Sequence, residues 1–499
     1  MRTSGVLLPV FSLPSPHGIG CFSKEAYEWV DFLKLAGQQY WQILPLGPTS
    51  YGDSPYQSFS TYAGNPYFID LEELVEAGFL TRKEVEACDC GKAARDIDYG
   101  KLYENRMPLL KLAYERSLEK PDPKFTAFWT ENAWWLDDYG LFMAGKDIFD
   151  GNSWDQWAED IRYRWDNAMW YYKTNYSKEI GFYVWLQYLF FTQWQKLKKY
   201  ANDKGLKIIG DIPIYVAYDS ADVWAHPEMF QLDQERKPAA VAGCPPDGFS
   251  ADGQLWGNPL YRWDYHRNTG YQWWISRMSY CFRLYDVVRI DHFRGFDEYF
   301  SIPYGDKDAR GGHWEKGPGI DLFRKIEQAL GWKQVIAEDL GYMTDSVRHL
   351  VYESGFPGMK VLEFAFDSRD SGCASDYLPH NYPENCVAYT GTHDNETIVG
   401  WWKSITAAER KLARDYLCDH ATPEEELYKC FISLIMRSAA RVCVIPMQDY
   451  MGLDNRFRMN KPSTVGTNWK WRIKKRDLTK KLQKEIYDVT LRYGRKNWD

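Results

Sequence analysis

The feature that most constrains this chain is a short apolar run ending at or near an acidic residue, a pattern that recurs through its C-terminal half. V-V-R-I-D-H-F-R-G-F places Asp291 at the end of such a run, V-I-A-E-D-L-G does the same for Glu338, and Y-T-G-T-H-D-N-E-T carries Asp394. Runs of this length, rich in β-branched residues and closed by turn signals, read as buried parallel strands. In a closed parallel barrel such strands deliver side chains to the C-terminal rim, where (β/α)₈ enzymes keep their chemistry. Three acids delivered to one rim predict carboxylate catalysis.

Eight candidate strands lie along the chain, at 6–11, 41–45, 207–212, 287–291, 335–338, 361–366, 387–390 and 442–447. Helical patterns separate them, for example at 23–36, 181–200, 320–330 and 408–417, and βα alternation implies a parallel sheet covered by helices. The expected fold is therefore α/β, a (β/α)₈ TIM barrel forming one catalytic domain over residues 1–499. Two intervals are too long for simple crossovers. Residues 66–178 read as a mostly helical insertion and 215–285 as a loop-rich one, and both leave from strand C-termini, over the catalytic face.

A net charge of −8 over 499 residues gives no electrostatic reason to expect nucleic acid or an anionic membrane as partner. The basic stretch 470–484 reads as a solvated helix face. Ten cysteines in so long a chain are not a disulfide framework, and Cys88 and Cys90 lack a second metal-spaced pair. Cys386 and Cys443 read as buried small hydrophobes. No apolar stretch reaches the length of a membrane span. The start M-R-T-S-G-V-L-L-P-V-F is a poor signal peptide, so a cytoplasmic protein is expected. Aromatic residues make up 17% of the chain, with 23 Trp and 36 Tyr. Such rings suit surfaces that are apolar on a face and polar at an edge, as a pyranose is. The population as a whole predicts a sugar-binding surface, against the alternative of a ring-rich core.

On a strand, Arg289 and Asp291 share a face. The guanidinium is expected to lower the Asp291 pKa and hold a nucleophile ionised, unless the two are only a structural pair. Glu338 precedes Asp339, a like charge expected to help raise it into the general-acid range. Asp394 reads either as a helix N-cap or as a third site acid, and Asp211 in I-G-D-I-P-I-Y as a hydrogen-bonding support. Two carboxylates in different protonation states are the equipment of glycosyl transfer through an oxocarbenium-like transition state. G-x-S-x-G, Walker-type and G-x-G-x-x-G signatures are missing from the sequence, and nine histidines without H-E-x-x-H spacing predict neither metal nor cofactor.

The sequence resembles the 4-α-glucanotransferases (amylomaltases, or disproportionating enzymes), a branch of the α-amylase-like barrels. The resemblance rests on P-S-P-H-G-I-G at 14–20, G-P-T-S-Y-G-D-S-P-Y-Q-S-F-S at 47–60 and A-G-N-P-Y at 63–67. It continues in G-D-I-P-I-Y at 210–215, P-P-D-G-F-S-A-D-G-Q-L-W-G-N-P at 245–259, the three acidic segments, and G-T-N-W-K-W-R at 466–472. It implies that Asp291 is the nucleophile, Glu338 the acid/base and Asp394 the transition-state stabiliser. Arg289, His292 and His393 would line the same subsite, with Asp211. Ser54, Tyr56, Gln57 and Asn468 would help hold the glucan, and Phe249, Trp256 and Asn258 would sit on a loop over the acceptor side that favours transfer over hydrolysis. Malto-oligosaccharides and other α-1,4-glucans are the implied partners. Many family members carry tyrosine where this chain has Gly248 and an aliphatic residue where it has Cys244, which leaves acceptor handling open. An α-glucan hydrolase using the same acids, and a non-catalytic glucan-binding protein, are the competing readings.

Overall fold

A computed structural model describes residues 2–50, 52–91, 95–246, 251–341, 343–367 and 376–498. Its strands are β1 (Thr3–Leu7), β2 (Tyr40–Gln42), β3 (Lys207–Pro213), β4 (Ala240–Cys244), β5 (Gln254–Pro259), β6 (Val287–Asp291), β7 (Glu298–Pro303), β8 (His313–Lys316), β9 (Val335–Ala337), β10 (Gly358–Val361), β11 (Cys386–Tyr389) and β12 (Val442–Pro446). Eight of them form one parallel sheet in the order β10-β11-β12-β1-β2-β3-β6-β9. The two end strands meet. The Ala337 N–H donates to the Pro357 carbonyl at 3.0 Å, and the Met359 N–H donates to the Asp339 carboxylate at 2.6 Å. The sheet thus curls into the expected (β/α)₈ barrel.

The strand sequences run apolar without alternation because both faces are buried. Leu7, Ile209, Val287, Ile336, Met359, Val361, Val387, Tyr389 and Val444 fill one face as a compact cluster. On the other face, Val6, Ile208, Val288, Ile290, Ala337, Ala388 and Ile445 join the larger core with the helices. Those helices include Lys24–Leu35, Ser177–Asp203, Gln272–Leu284, Ile320–Leu330 and Asp345–Ser354.

Several expectations need correction. The first strand is 3–7 rather than 6–11: Pro9 has no N–H for a ladder, and a 3₁₀ turn follows at Val10–Ser12. The sixth is 358–361 rather than 361–366, because pairing with β11 begins at Gly358 and Leu362–Phe364 coil into a 3₁₀ turn. An apolar run shows that a strand exists but does not set its register. The stretch 215–285 holds β4, β5, Trp263–Asn268 and Gln272–Leu284, more ordered than its loop-rich sequence suggested. β4 and β5 join β7 and β8 in an antiparallel sheet, order β5-β4-β7-β8, whose partners lie beyond β6 in sequence. Between Pro66 and Asp203 every regular element described is helical.

The rings serve the core as well as the surface. Trp29, Trp41, Trp154, Trp194, Trp224 and Trp274 are fully buried, while Trp134, Trp165, Trp170, Trp332 and Trp498 are exposed among the described residues.

Close packing between barrel and helices is sharp at Gly210 on β3, where a Cβ would stand 2.1 Å from the buried Tyr285 ring. Gly210→Ala is expected to cost about 1–3 kcal/mol through overpacking, read as a lower urea midpoint. An unchanged midpoint would show that the ring has room to move.

Candidate active site

Register brings the first two acids together. On adjacent strands Ile290 pairs with Ala337, and the Glu338 N–H donates to the Ile290 carbonyl at 3.1 Å, so Asp291 and Glu338 leave the barrel side by side. The chain after β6 turns at His292, which adopts a left-handed φ of 53°. Histidine tolerates this region better than most residues. The turn points two N–H groups at Glu338: that of His292 donates to its carboxylate at 2.7 Å and that of Phe293 to its carbonyl at 3.0 Å. The Leu340 N–H holds the other carboxylate oxygen at 2.9 Å.

Arg289 is the hub of the rim. Its buried guanidinium donates twice to Asp211, at 2.8 and 2.6 Å, and pairs with Asp291 at 3.0 Å. Register again explains the contact, since Asp211 on β3 lies opposite Arg289 on β6. The Tyr56 hydroxyl donates to Asp211 at 2.9 Å, so it accepts from His393 Nε2 at 2.8 Å, which assigns the proton to that nitrogen. The same nitrogen lies 3.1 Å from Asp394, whose other oxygen accepts from the Asn460 amide at 2.6 Å. Asp394 is not the N-cap of the next helix; Thr397 is, accepting from the Gly400 N–H. A connected chain therefore runs from Asp291 through Arg289, Asp211, Tyr56 and His393 to Asp394.

The three acids are tuned apart. Burial pushes Asp291 up to about 6; Arg289 opposes this, while Asp211 and Asp394 add to it. The expectation that Arg289 would bring Asp291 below its usual range is overturned, because burial, with Asp211 and Asp394 adding to it, outweighs the guanidinium. Burial and the neighbouring Asp291 push Glu338 up to about 7. Asp339 does not contribute as expected: its carboxylate accepts the Met359 N–H on the next strand. For Asp394, burial works upward but is outweighed by His393, Asn460 and Arg289, which hold it below the usual carboxylate range. The order leaves Asp394 ionised, Asp291 ionised above about pH 6, and Glu338 protonated below about pH 7.

The remaining expected residues fall in two groups. Trp256 packs edge-on against His292, ring centroids 4.8 Å apart, and so stands beside the acids. Tyr56 stacks on His393 at 5.2 Å. Gln57 donates to the Asn258 side chain at 3.1 Å, and Asn258 donates to the Val216 carbonyl at 2.8 Å, joining the 47–60 loop to the segment after β3. Ser54 accepts the Tyr56 N–H at 3.3 Å and so shapes its turn. Asn468 closes its own loop, accepting from the Lys461 N–H at 3.0 Å and donating to the Thr464 carbonyl at 2.8 Å. Phe249 and Gly248 lie outside the described residues. Sequence reasoning missed Asn460, Trp469 and Glu363. Asn460 follows a turn after β12 with no strand signal, and Trp469 packs 5.8 Å from Tyr56 and 6.0 Å from His393. Glu363 was read as mid-strand but stands past β10, its carboxyl pushed well up by burial and by Asp449 and Glu396.

A parallel eight-stranded barrel with its acids at the carboxyl ends of the strands is the architecture of a (β/α)₈ enzyme. The sequence profile of the 4-alpha-glucanotransferases, glycoside hydrolase family 77, matches residues 8–479. A 4-alpha-glucanotransferase of Clostridium butyricum is 48% identical over 488 residues, covering 97% of this chain and 99% of the relative. One from Thermus thermophilus is 47% identical over 481 residues, 95% of each. An amylomaltase from Streptococcus agalactiae, solved in complex with acarbose, superposes with a TM-score of 0.97 at 42% identity over the whole of both chains. The chain belongs to the 4-alpha-glucanotransferase family. Among the described residues no helix is long and apolar enough to cross a membrane, and no group of three or more His, Cys, Asp or Glu could hold a metal ion.

Asp211→Asn removes a charge that raises Asp291 and leaves Arg289 a single anionic partner. The Asp291 transition, followed by pH-difference infrared spectroscopy of the carboxylate bands, is expected to move below its wild-type position near pH 6. A shift upward would mean that Asp211 acts on Asp291 mainly by holding Arg289 in place.

Proposed function

We propose that the enzyme moves α-1,4-glucan segments between malto-oligosaccharides by a retaining double displacement, with Asp291 as nucleophile, Glu338 as acid/base and Asp394 as stabiliser. The observation that carries the assignment is the separation of the acids by environment. Asp291, paired with Arg289, is the carboxylate that ionises first of the coupled two; Glu338, beside it, keeps its proton longer. In the first step an Asp291 oxygen attacks the anomeric carbon while Glu338 gives its proton to the departing glycosidic oxygen. The leaving chain departs with a free 4-hydroxyl. In the second step the now ionised Glu338 takes the proton from an acceptor 4-hydroxyl, which displaces Asp291 and restores the α-linkage. Asp394, ionised and held by Asn460 and His393, stands ready to accept sugar hydroxyls and to offset the positive charge that develops on the ring.

Ser54, Tyr56, Gln57, Asp211, Arg289, His292, His393, Trp256, Asn258 and Asn468 are proposed as the surrounding glucan site, several by direct contact and others by shaping its loops. Trp256 against His292 supports an apolar wall on which an acceptor sugar can stack while water is displaced. In this reading the whole chain is one catalytic domain, with 66–178 and 215–285 as insertions at the mouth of the barrel, and its place is the cytoplasm.

Incubation with maltotriose tests the reading. A ladder of longer oligosaccharides plus glucose marks transfer; glucose and maltose alone would assign a hydrolase. Glu338→Gln is expected to lower turnover about 10²–10⁴-fold and Asp291→Asn to abolish it, both with unchanged circular dichroism. Loss of the fold in either would make these acids structural. For the wild type, kcat/KM is expected to be bell-shaped. It falls below about pH 6 as Asp291 takes up a proton and above about pH 7 as Glu338 loses one. A profile flat across both values would refute the assignment.

A further inference from the structure

The turn Cys88-Asp89-Cys90 has no part in the carboxylate chemistry, yet it is built with care. Its two sulfurs lie 3.1 Å apart. The Asp89 carboxylate accepts from the Gly91 N–H at 3.2 Å and from the Lys101 ammonium at 2.7 Å, and its carbonyl accepts from the Asn105 side chain at 3.0 Å. The Cys88 N–H closes the end of the helix Arg82–Ala87 on the Glu84 carbonyl at 3.2 Å. Gly18 abuts the other side, where a Cβ would stand 1.8 Å from the Cys90 carbonyl oxygen. The thiols face each other because the backbone on both sides is pinned.

Arg106 supplies the charge. Its guanidinium is fully buried, and it donates to the carbonyls of His17 and Ile69 at 3.5 and 2.5 Å. Among the described residues its Nε has no hydrogen-bond partner, and Glu72 pairs with His17 and Arg82 instead. The buried Asp70 carboxylate lies within reach of this charge, and a thiolate at Cys90 gives it a second anion. Cys90 answers in kind: the hydrogen bond from Cys88 and the Arg106 charge outweigh burial and pull its thiol down to about 6, while Cys88 is pushed up. The pair holds one proton between two sulfurs.

We propose that Cys88 and Cys90 form a hydroperoxide-reactive pair that closes reversibly to an intrachain disulfide, with Arg106 beside the attacking sulfur. The Cys90 thiolate attacks one oxygen of hydrogen peroxide, the O–O bond breaks, and Cys90 becomes a sulfenic acid as hydroxide leaves. The Cys88 sulfur then attacks the sulfenic sulfur; the S–S bond forms, and the sulfenic oxygen leaves as water with the Cys88 proton. Two electrons pass from the thiol pair to the peroxide. Cys90 is buried and Cys88 half-buried, so a molecule as small as peroxide reaches the pair from the Cys88 side.

The test uses the full chain, reduced and then exposed to hydrogen peroxide at pH 7, with alkylation and peptide mass spectrometry. The exposed Cys418 serves as the internal reference. An ordinary cysteine with pKa about 8.5 has about thirtyfold less thiolate at this pH, while the lower basicity of Cys90 forfeits about tenfold in nucleophilicity, leaving it about threefold faster. The peptide carrying Cys88 and Cys90 is expected to lose both alkylatable thiols and about 2 Da ahead of oxidation at Cys418, and dithiothreitol is expected to restore it. In Cys88→Ser the intermediate should persist as a dimedone-trapped sulfenic acid on Cys90. The proposal is overturned if both thiols outlast Cys418, if the disulfide forms between chains, or if Cys90→Ser leaves the rate at position 88 unchanged.

Discussion

The rim of this barrel is organised by one buried cation. Arg289 grips both oxygens of Asp211 with one terminal nitrogen and reaches Asp291 with the other. A buried guanidinium of this kind must be matched by anions, because its transfer from water is costly and only close, well-directed partners repay it. Asp211 supplies that match on the neighbouring strand. Burial still outweighs the guanidinium at Asp291, which is held in place without being held strongly ionised.

The order of the pair, Asp291 below Glu338, is what the proposed chemistry uses. A nucleophile pulled far down by its own private cation would be a poor base toward carbon, and an acid pushed far up would be a poor donor. Burial moves both carboxyls upward together, and their mutual repulsion favours the state with a single charge shared between them. Asp394 escapes the same burial because His393 and Asn460 both direct N–H groups at it. Three acids in one mouth thus acquire three characters from their hydrogen-bond partners rather than from their position alone.

The chain around the mouth is a framework that fixes those partners. Tyr56 arrives on the 47–60 loop and joins Asp211 to His393, so the loop, β3 and the turn after β11 are tied at one hydroxyl. Gln57 and Asn258 tie the same loop to the segment beyond β3. Trp469 rests against both Tyr56 and His393, and the Ile97 N–H donates to the Lys470 carbonyl at 2.9 Å, so the helical segment that begins beyond the cysteine turn is linked to the rim as well. A long insertion placed far from the acids in sequence therefore packs one connection away from them.

The barrel, its eight-strand count and the placing of Asp291 and Glu338 at strand ends were legible in the chain itself, since a strand buried on both faces is largely apolar and the charges within it, here Arg289 and Asp211, have to pair with each other. The motifs at 47–60, 210–215 and 466–472 carried the family resemblance on residue identity alone. What the sequence left open was whatever depends on a partner distant along the chain. Strand register moved the first and sixth strands by several residues, and with the sixth it hid Glu363. The antiparallel sheet needed β4 and β5 to find β7 and β8 across an intervening barrel strand. Burial outweighed Arg289 and reversed the expected shift of Asp291, and Asp339 turned away from Glu338 to close the barrel against Met359. Local pattern determines which residues must be buried and where a strand can end; only the folded packing decides which charges then face each other, because proton affinity is set by distances across the barrel.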